Sequence, residues 1–214
     1  MLPFIFIGIT LLSLLLFYYA TGKDKKVLLL SILWILVVGV ISYSGYFTNT
    51  LAKPPRFLLV LLGAVLLSVF LFKRVNKDKR NANLLIAVHT LRLPIELVLY
   101  QLFLQKQVPI LMTFKGYNFD IIMGISSIVL LVYLWLTKNR LSKTFILVWN
   151  MFGLVFLIII VAIAILSSPL PLQQLAFDQP NIALLQFPFT YLPAFIVPIV
   201  FLSHILTIKS NRPD

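Results

Sequence analysis

The sequence predicts an all-α fold: a polytopic membrane protein, one bundle of seven transmembrane helices spanning residues 1–214, N-terminus outside and C-terminus cytoplasmic. Three observations predict it. Of the 214 residues, 61% are hydrophobic and 11% charged, with a mean hydropathy of +1.03. Seven apolar runs are long enough, or nearly so, to cross a bilayer. The lysines and arginines between those runs fall overwhelmingly in alternate loops.

Composition sets the class. Soluble domains carry about a quarter charged residues, and surface-to-volume scaling limits how much apolar surface a soluble core of this size can hide. The surplus requires an apolar solvent, which the bilayer supplies. The net charge of +12 sits in short loops, where it meets anionic headgroups rather than nucleic acid. No basic domain exists that could carry a nucleic-acid partner. The chain contains no cysteine, which excludes disulfides, thiolate nucleophiles and cysteine metal sites.

The apolar runs are Leu2–Ala20, Val27–Phe47, Phe57–Phe72, Ala82–Gln105, Phe119–Thr137, Thr144–Leu166 and Ala183–Ile208. About 20 residues cross about 30 Å of hydrocarbon, and the third run is the shortest. Barrel strands would be half as long and strictly alternating. The first run lacks a basic n-region and an A-x-A site, so it reads as a retained first helix. Tyr18, Tyr19, Tyr43, Tyr46, Tyr133, Trp135 and Trp149 read as interfacial belt residues. Two loops, Lys106–Asn118 and Ser167–Ile182, are longer than connection requires and rich in turn residues, which suits surface segments or caps on the bundle.

Orientation follows from the cations. One side holds Lys23, Lys25 and Lys26, then Lys73, Arg74, Lys77, Lys79 and Arg80, then Lys138, Arg140 and Lys143, then Lys209 and Arg212. The other holds Lys53, Arg56, Lys106 and Lys115, and Arg92 lies inside a helix. The richer side is cytoplasmic by the positive-inside rule.

The fourth run carries the informative cluster, His89-Thr-Leu-Arg92-Leu-Pro94-Ile-Glu96. At 1.5 Å per residue Arg92 lies ~14 Å from the inner end, near the bilayer midplane. His89, Arg92, Glu96 and Tyr100 fall on one helical face. An ionisable group at that depth costs ~3 kcal/mol or more, so such groups pair and face the bundle interior. Pro94 frees the Thr90 carbonyl and kinks the helix. The plain reading is an Arg92–Glu96 pair at i, i+4 that locks packing; the functional reading is a site for a charged substrate, ion or proton.

The seventh run is the second candidate. Pro188, Pro193 and Pro198 free the carbonyls of Leu184, Phe189 and Ala194, which marks a kink or gate. Gln186, Thr190 and His204 align on one face if that run is continuous helix. Gln186 and Thr190, with Glu96 and Tyr100, are expected to line a polar cavity open to the outside under loops carrying Lys115 and Asp178. His89 and His204, the two histidines, could serve as proton carriers or ligate a haem or metal, but nothing else marks such a site and no cofactor or metal is expected. Asp120 reads as a helix-start residue and Asn150 with Gly153 as a packing contact. No lysine in the seventh run could hold a retinal, and no nucleotide loop or H-E-x-x-H pair is present.

Within Arg92–Gly124, the segments R-L-P-I-E-L-V-L-Y and M-T-F-K-G-Y-N-F-D resemble an uncharacterised family of small bacterial multipass membrane proteins. The resemblance implies a bacterial inner-membrane location and groups helix four with its following loop as one functional unit; it implies no activity. The expected function is non-enzymatic binding or translocation of a small polar or anionic solute with proton coupling, with membrane lipids as the surrounding partner. The alternatives are an intramembrane enzyme acting on a lipid headgroup and an accessory or assembly subunit of a membrane complex.

The absence of native cysteine makes the topology directly measurable. Single cysteines at Lys77 and Arg140 should resist an impermeant outside reagent, whereas those at Lys53 and Gln174 should react; labelling of Lys77→Cys from outside overturns the seven-helix, N-out arrangement.

Overall fold

Each apolar run becomes a helix whose ends are set by local polar chemistry. A computed structural model describes residues 1–139 and 141–210. Arg140 and Arg212, two of the cations counted on the inner side, lie outside the described residues, as does the side chain of Lys77. Helix α1 (Leu2–Ala20) opens with Pro3 in its first turn, where the missing amide is harmless. It ends in a tight turn at Gly22, whose φ is +81° and which presses on the Lys79 backbone, leaving no room for a Cβ. Helix α2 (Lys25–Tyr43) is capped by Asp24, whose carboxylate accepts from the Lys26 amide at 2.8 Å.

Helix α3 (Leu58–Arg74) brings Arg74 back to Asp24, with Nε 3.1 Å from Oδ2. Asn81 then caps α4 (Ala82–Val88) by accepting from Leu84 N–H, and donates its own backbone amide to the Ala20 carbonyl at 2.9 Å. These contacts tie the α1–α2 turn and the α3–α4 turn together at one end of the bundle. Lys209, near the end of the last helix, joins them by standing 4.2 Å over the Phe72 ring.

Helix α4 runs through a single 3₁₀ turn (His89–Leu91) into α5 (Arg92–Leu104), forming one rod. The tightened turn lies just before Pro94, where the helix loses the amide that would have paired with Thr90. Helices α6 (Asp120–Thr137) and α7 (Lys143–Leu166) follow, α7 capped by Ser142 through Phe145 N–H. The last rod is a π turn (Leu192–Ile196) leading into α8 (Val197–Ser210).

The described residues therefore form an all-helical bundle of seven rods, of which six are long and apolar enough to cross a membrane. The remaining one is α3, whose 17 residues reach about 26 Å. The α4–α5 and α8 rods are the centre of the bundle: 56% and 67% of their apolar windows are buried, against 28% for α6 and α7.

The seventh run departs from expectation. Helix was expected from Ala183, yet Ala183–Leu185 forms a short 3₁₀ turn, Gln186 is extended, and helical backbone continues only from Tyr191. Pro188 and Pro193 remove successive amide donors, so an α-helix cannot propagate through the segment. The Ala194 carbonyl freed by Pro198 finds a partner on another helix, accepting from Trp34 Nε1 at 2.9 Å. Gly63 of α3 makes room for that indole, since a Cβ there would overlap the Trp34 ring. One side chain of α2 thus fastens α3 and the π turn together.

Two substitutions resolve this contact. Trp34→Phe removes the donor and should lower stability by about 1–2 kcal/mol. Gly63→Leu forces the ring aside and should cost more, about 1–3 kcal/mol from overpacking with loss of the hydrogen bond besides. Thermal unfolding in detergent, following tryptophan fluorescence, checks the order.

Candidate functional site

Polar side chains from four rods converge in the middle of the bundle. The α4–α5 rod contributes His89, Arg92 and Glu96; the start of α6 contributes Asp120, preceded by Asn118; α7 contributes Asn150 and the Gly153 carbonyl; α8 contributes His204. None of these polar side-chain residues is more than 8% exposed. Burial this complete is expected for ionisable groups on membrane-length helices, because lipid offers them nothing to pair with.

Arg92 is the hub. Its Nη2 donates to the Gly153 carbonyl and faces His204 Nε2, both at 3.3 Å. Its Nη1 lies 3.3 Å from Asp120 Oδ1, an ion pair without hydrogen-bond alignment on either atom. His204 Nδ1 shares a 2.7 Å hydrogen bond with Asn150 Oδ1, and Asn150 Nδ2 donates to the Ile146 carbonyl at 2.7 Å. His89 stacks on His204 with centroids 3.9 Å apart and planes 26° apart, and Trp149 stands edge-on against His89. Towards the other side, Asn118 Nδ2 donates to Glu96 Oε1 and to the Met112 carbonyl, while Asn118 Oδ1 accepts from Asp120 N–H. The groups form a continuous polar chain, Glu96–Asn118–Asp120–Arg92–His204–Asn150.

The chain is not saturated. Both ring nitrogens of His89, Arg92 Nε and Glu96 Oε2 are buried without a hydrogen-bond partner among the described residues. Each such group left unsatisfied costs ~1–3 kcal/mol or more when charged.

Two loops close over this chain. In the α5–α6 loop, Val108, Met112, Thr113 and Asn118 are buried; in the α7–α8 connection, Asn181 and Ala183–Leu185 are. Gln179 Nε2 donates to the carbonyls of Phe103 and Val108, and the amides of Ile182 and Ala183 donate to the Gln107 carbonyl. The long loops are packed caps that meet over the C-terminal end of α5.

Of the residues singled out in the sequence, His89, Arg92, Glu96 and His204 are brought together. Tyr100 sits a turn beyond, against Phe114 and beneath Lys115, whose Nζ is 4.9 Å from its ring. Thr190 hydrogen-bonds to Ser42 of α2 at 2.7 Å, and Gln186 is exposed on extended backbone, so neither joins the cluster. They do not share a helical face with His204 because the prolines break the helix between them. Pro94 lies beside the cluster, whereas Pro188, Pro193 and Pro198 shape the entry to α8. The stacked histidines rule out axial haem ligation in this arrangement, since the two ring nitrogens would have to point at each other across an iron. Among the described residues no three His, Asp or Glu side chains gather as a metal ion requires.

Sequence reasoning gave Asp120, Asn150, Gly153 and Trp149 structural roles and left Asn118 as a loop end. Asp120 does stand in the first turn of α6, but its carboxylate makes no cap there; it faces Arg92, while Asn118 Oδ1 accepts the Asp120 amide. Trp149 looked interfacial, yet it wedges against both histidines and donates to Ser126 at 3.0 Å. Asn150 and Gly153, one turn apart in an otherwise apolar helix, both meet His204, the packing contact that their spacing suggests. A Cβ on Gly153 would collide with the His204 ring, so the glycine is what lets α8 bring its histidine to Arg92.

Such an arrangement can hold an anion at the guanidinium and move protons between carboxylate and imidazole groups. No curated protein and no solved structure matches the chain. Residues 55–210 match the family model described as Domain of unknown function (DUF8737), a span that contains the whole cluster from His89 to His204, and the chain belongs to that family.

Proposed function

We propose that this protein is a seven-span, N-out membrane protein that binds and translocates a small polar or anionic solute through the bundle interior with proton coupling. The observation that carries the reading is the buried chain of ionisable groups contributed by four rods, with unpaired donors and acceptors along it. Buried Asp, Glu and His chains within membrane helices serve as ion paths and proton relays. Arg92 is the partner of the anion, Glu96 the group that takes the proton, and the proline-broken start of α8 the moving part.

The seven-span topology has its own support. The α1–α2 and α3–α4 turns meet at one end, so α3 returns to the end from which α2 departs. The basic residues Lys73 and Arg74 close α3 at that end, as the charge count requires of a third span.

Reconstituted into liposomes containing pyranine, the protein should acidify the lumen when an inward gradient of sodium chloride or sodium trifluoroacetate is imposed, because each anion brings a proton with it. Glu96→Gln and Arg92→Gln should each reduce that flux by at least about tenfold, equivalent to about 1.4 kcal/mol, while Ser68→Ala, whose hydroxyl bonds only within α3, should leave it near the starting level. Flux no greater than in protein-free liposomes, or turnover of the liposome lipids in its place, overturns the reading.

A further inference from the structure

We propose that Asp120 is an internal stand-in for the solute: its carboxylate occupies the place on Arg92 that a small monovalent carboxylate takes, and a proton on Asp120 releases that place. The inference rests on the solute-and-proton reading above and names its ligand class and exchange step.

Geometry separates Asp120 from the other partners of Arg92. Nη2 is engaged by the Gly153 carbonyl and His204, which belong to the interiors of α7 and α8. Asp120 faces Nη1 at ion-pair distance, yet neither atom has an aligned hydrogen bond, and Nε has no partner among the described residues. A buried Arg–carboxylate pair shaped for stability is bidentate and shorter. This one neutralises the guanidinium without locking it. Asp120 is also the first residue of α6, joined through its amide to Asn118 at the end of a loop, so it can withdraw with that loop.

Charge and size define what replaces it. Asp120 faces Arg92 directly and is linked to Glu96 through Asn118; behind Arg92 stand His204 of α8, with His89 of the 3₁₀ turn stacked on it, and the neutral Asn150 and Gly153 carbonyl of α7. A proton on Asp120 leaves Arg92 short of one negative charge, and a monoanion restores it. A dianion would set its second charge near Glu96, which Asn118 already holds. The walls are close: a Cβ at Gly153 would meet Met123 Cε at 2.7 Å, and one at Gly124 would meet the Leu93 amide nitrogen at 2.8 Å. The incoming group therefore takes the volume of the Asp120 carboxyl rather than lying beside it. One proton enters with one anion, the charge of the cluster is unchanged, and no step leaves a bare guanidinium in hydrocarbon.

The test uses sodium trifluoroacetate, which stays ionised throughout, at constant ionic strength set with gluconate. Binding to the purified full chain is read as a concentration-dependent rise in thermal midpoint. Wild-type affinity should improve at least about tenfold between about pH 7.5 and about pH 5. Asp120→Asn should bind at about pH 7.5 as tightly as wild type does at about pH 5, with the pH dependence gone, and Arg92→Gln should not bind. If Asp120→Asn does not fold, Asp120→Ser and the wild-type pH series carry the same comparison. Affinity for the anion that is unchanged by pH, lost in the Asp120 variants, or absent in every form overturns the inference. The pyranine flux is independent of this readout: flux with no anion binding removes this inference alone, and anion binding without flux removes the translocation reading while leaving the stand-in role.

Discussion

Arg92 governs the organisation of this bundle. A guanidinium carries five donors, cannot lose its proton under ordinary conditions, and is expensive to hold away from water. No single helix can satisfy five donors that fan out from one side chain. Its partners come from α6, α7 and α8, so those elements must approach within one side chain of the same point. That requirement explains the glycine at 153, the loop that turns inward to deliver Asn118 and Asp120, and the central place of α8 between α4 and α7.

A second set of constraints works at the other face of α8. Three prolines deprive the segment from Phe187 to Val197 of regular helix, and the exposed carbonyls need outside donors. Trp34 supplies one, and the Ser42–Thr190 pair fastens the same stretch to α2. The broken start of α8 is therefore held by side chains rather than by its own backbone ladder. Its remaining length, packed as ordinary helix, keeps His204 fixed at the polar chain. One element thus joins an irregular first half to a regular second half.

Much of this was legible in the sequence, and the limits have physical reasons. The helix spans follow from apolar length, and the ends of α1, α6 and α7 fall within a residue of the apolar boundaries because caps and charges begin there. His89, Arg92 and Glu96 could be picked out because ionisable residues are rare at that depth. Their partners could not, since sequence periodicity describes one helix at a time and cannot say which neighbours face it. The i, i+4 spacing suggested that Arg92 and Glu96 satisfy each other; the ion pair that Arg92 makes is with Asp120, 28 positions away on another rod. Gln186 was misplaced for a different reason: three prolines at five-residue spacing were read as kinks in a helix, whereas two of them prevent it from starting.

The hydrogen bonds between the two long loops have a mechanical consequence. Gln179 grips the backbone at Phe103 and Val108, and Gln107 receives two amides from Ile182 and Ala183. Two connections far apart along the chain are thereby sewn into a single plate, with one edge on the end of α5 and another running into the start of α6. Such a plate cannot lift by bending one loop. It must tilt as a whole, or part along a seam where several bonds break together, and either motion pulls directly on the residue pair Asn118 and Asp120 beneath it. Opening of this end of the bundle and disturbance of the buried ion pair are, by this construction, a single event.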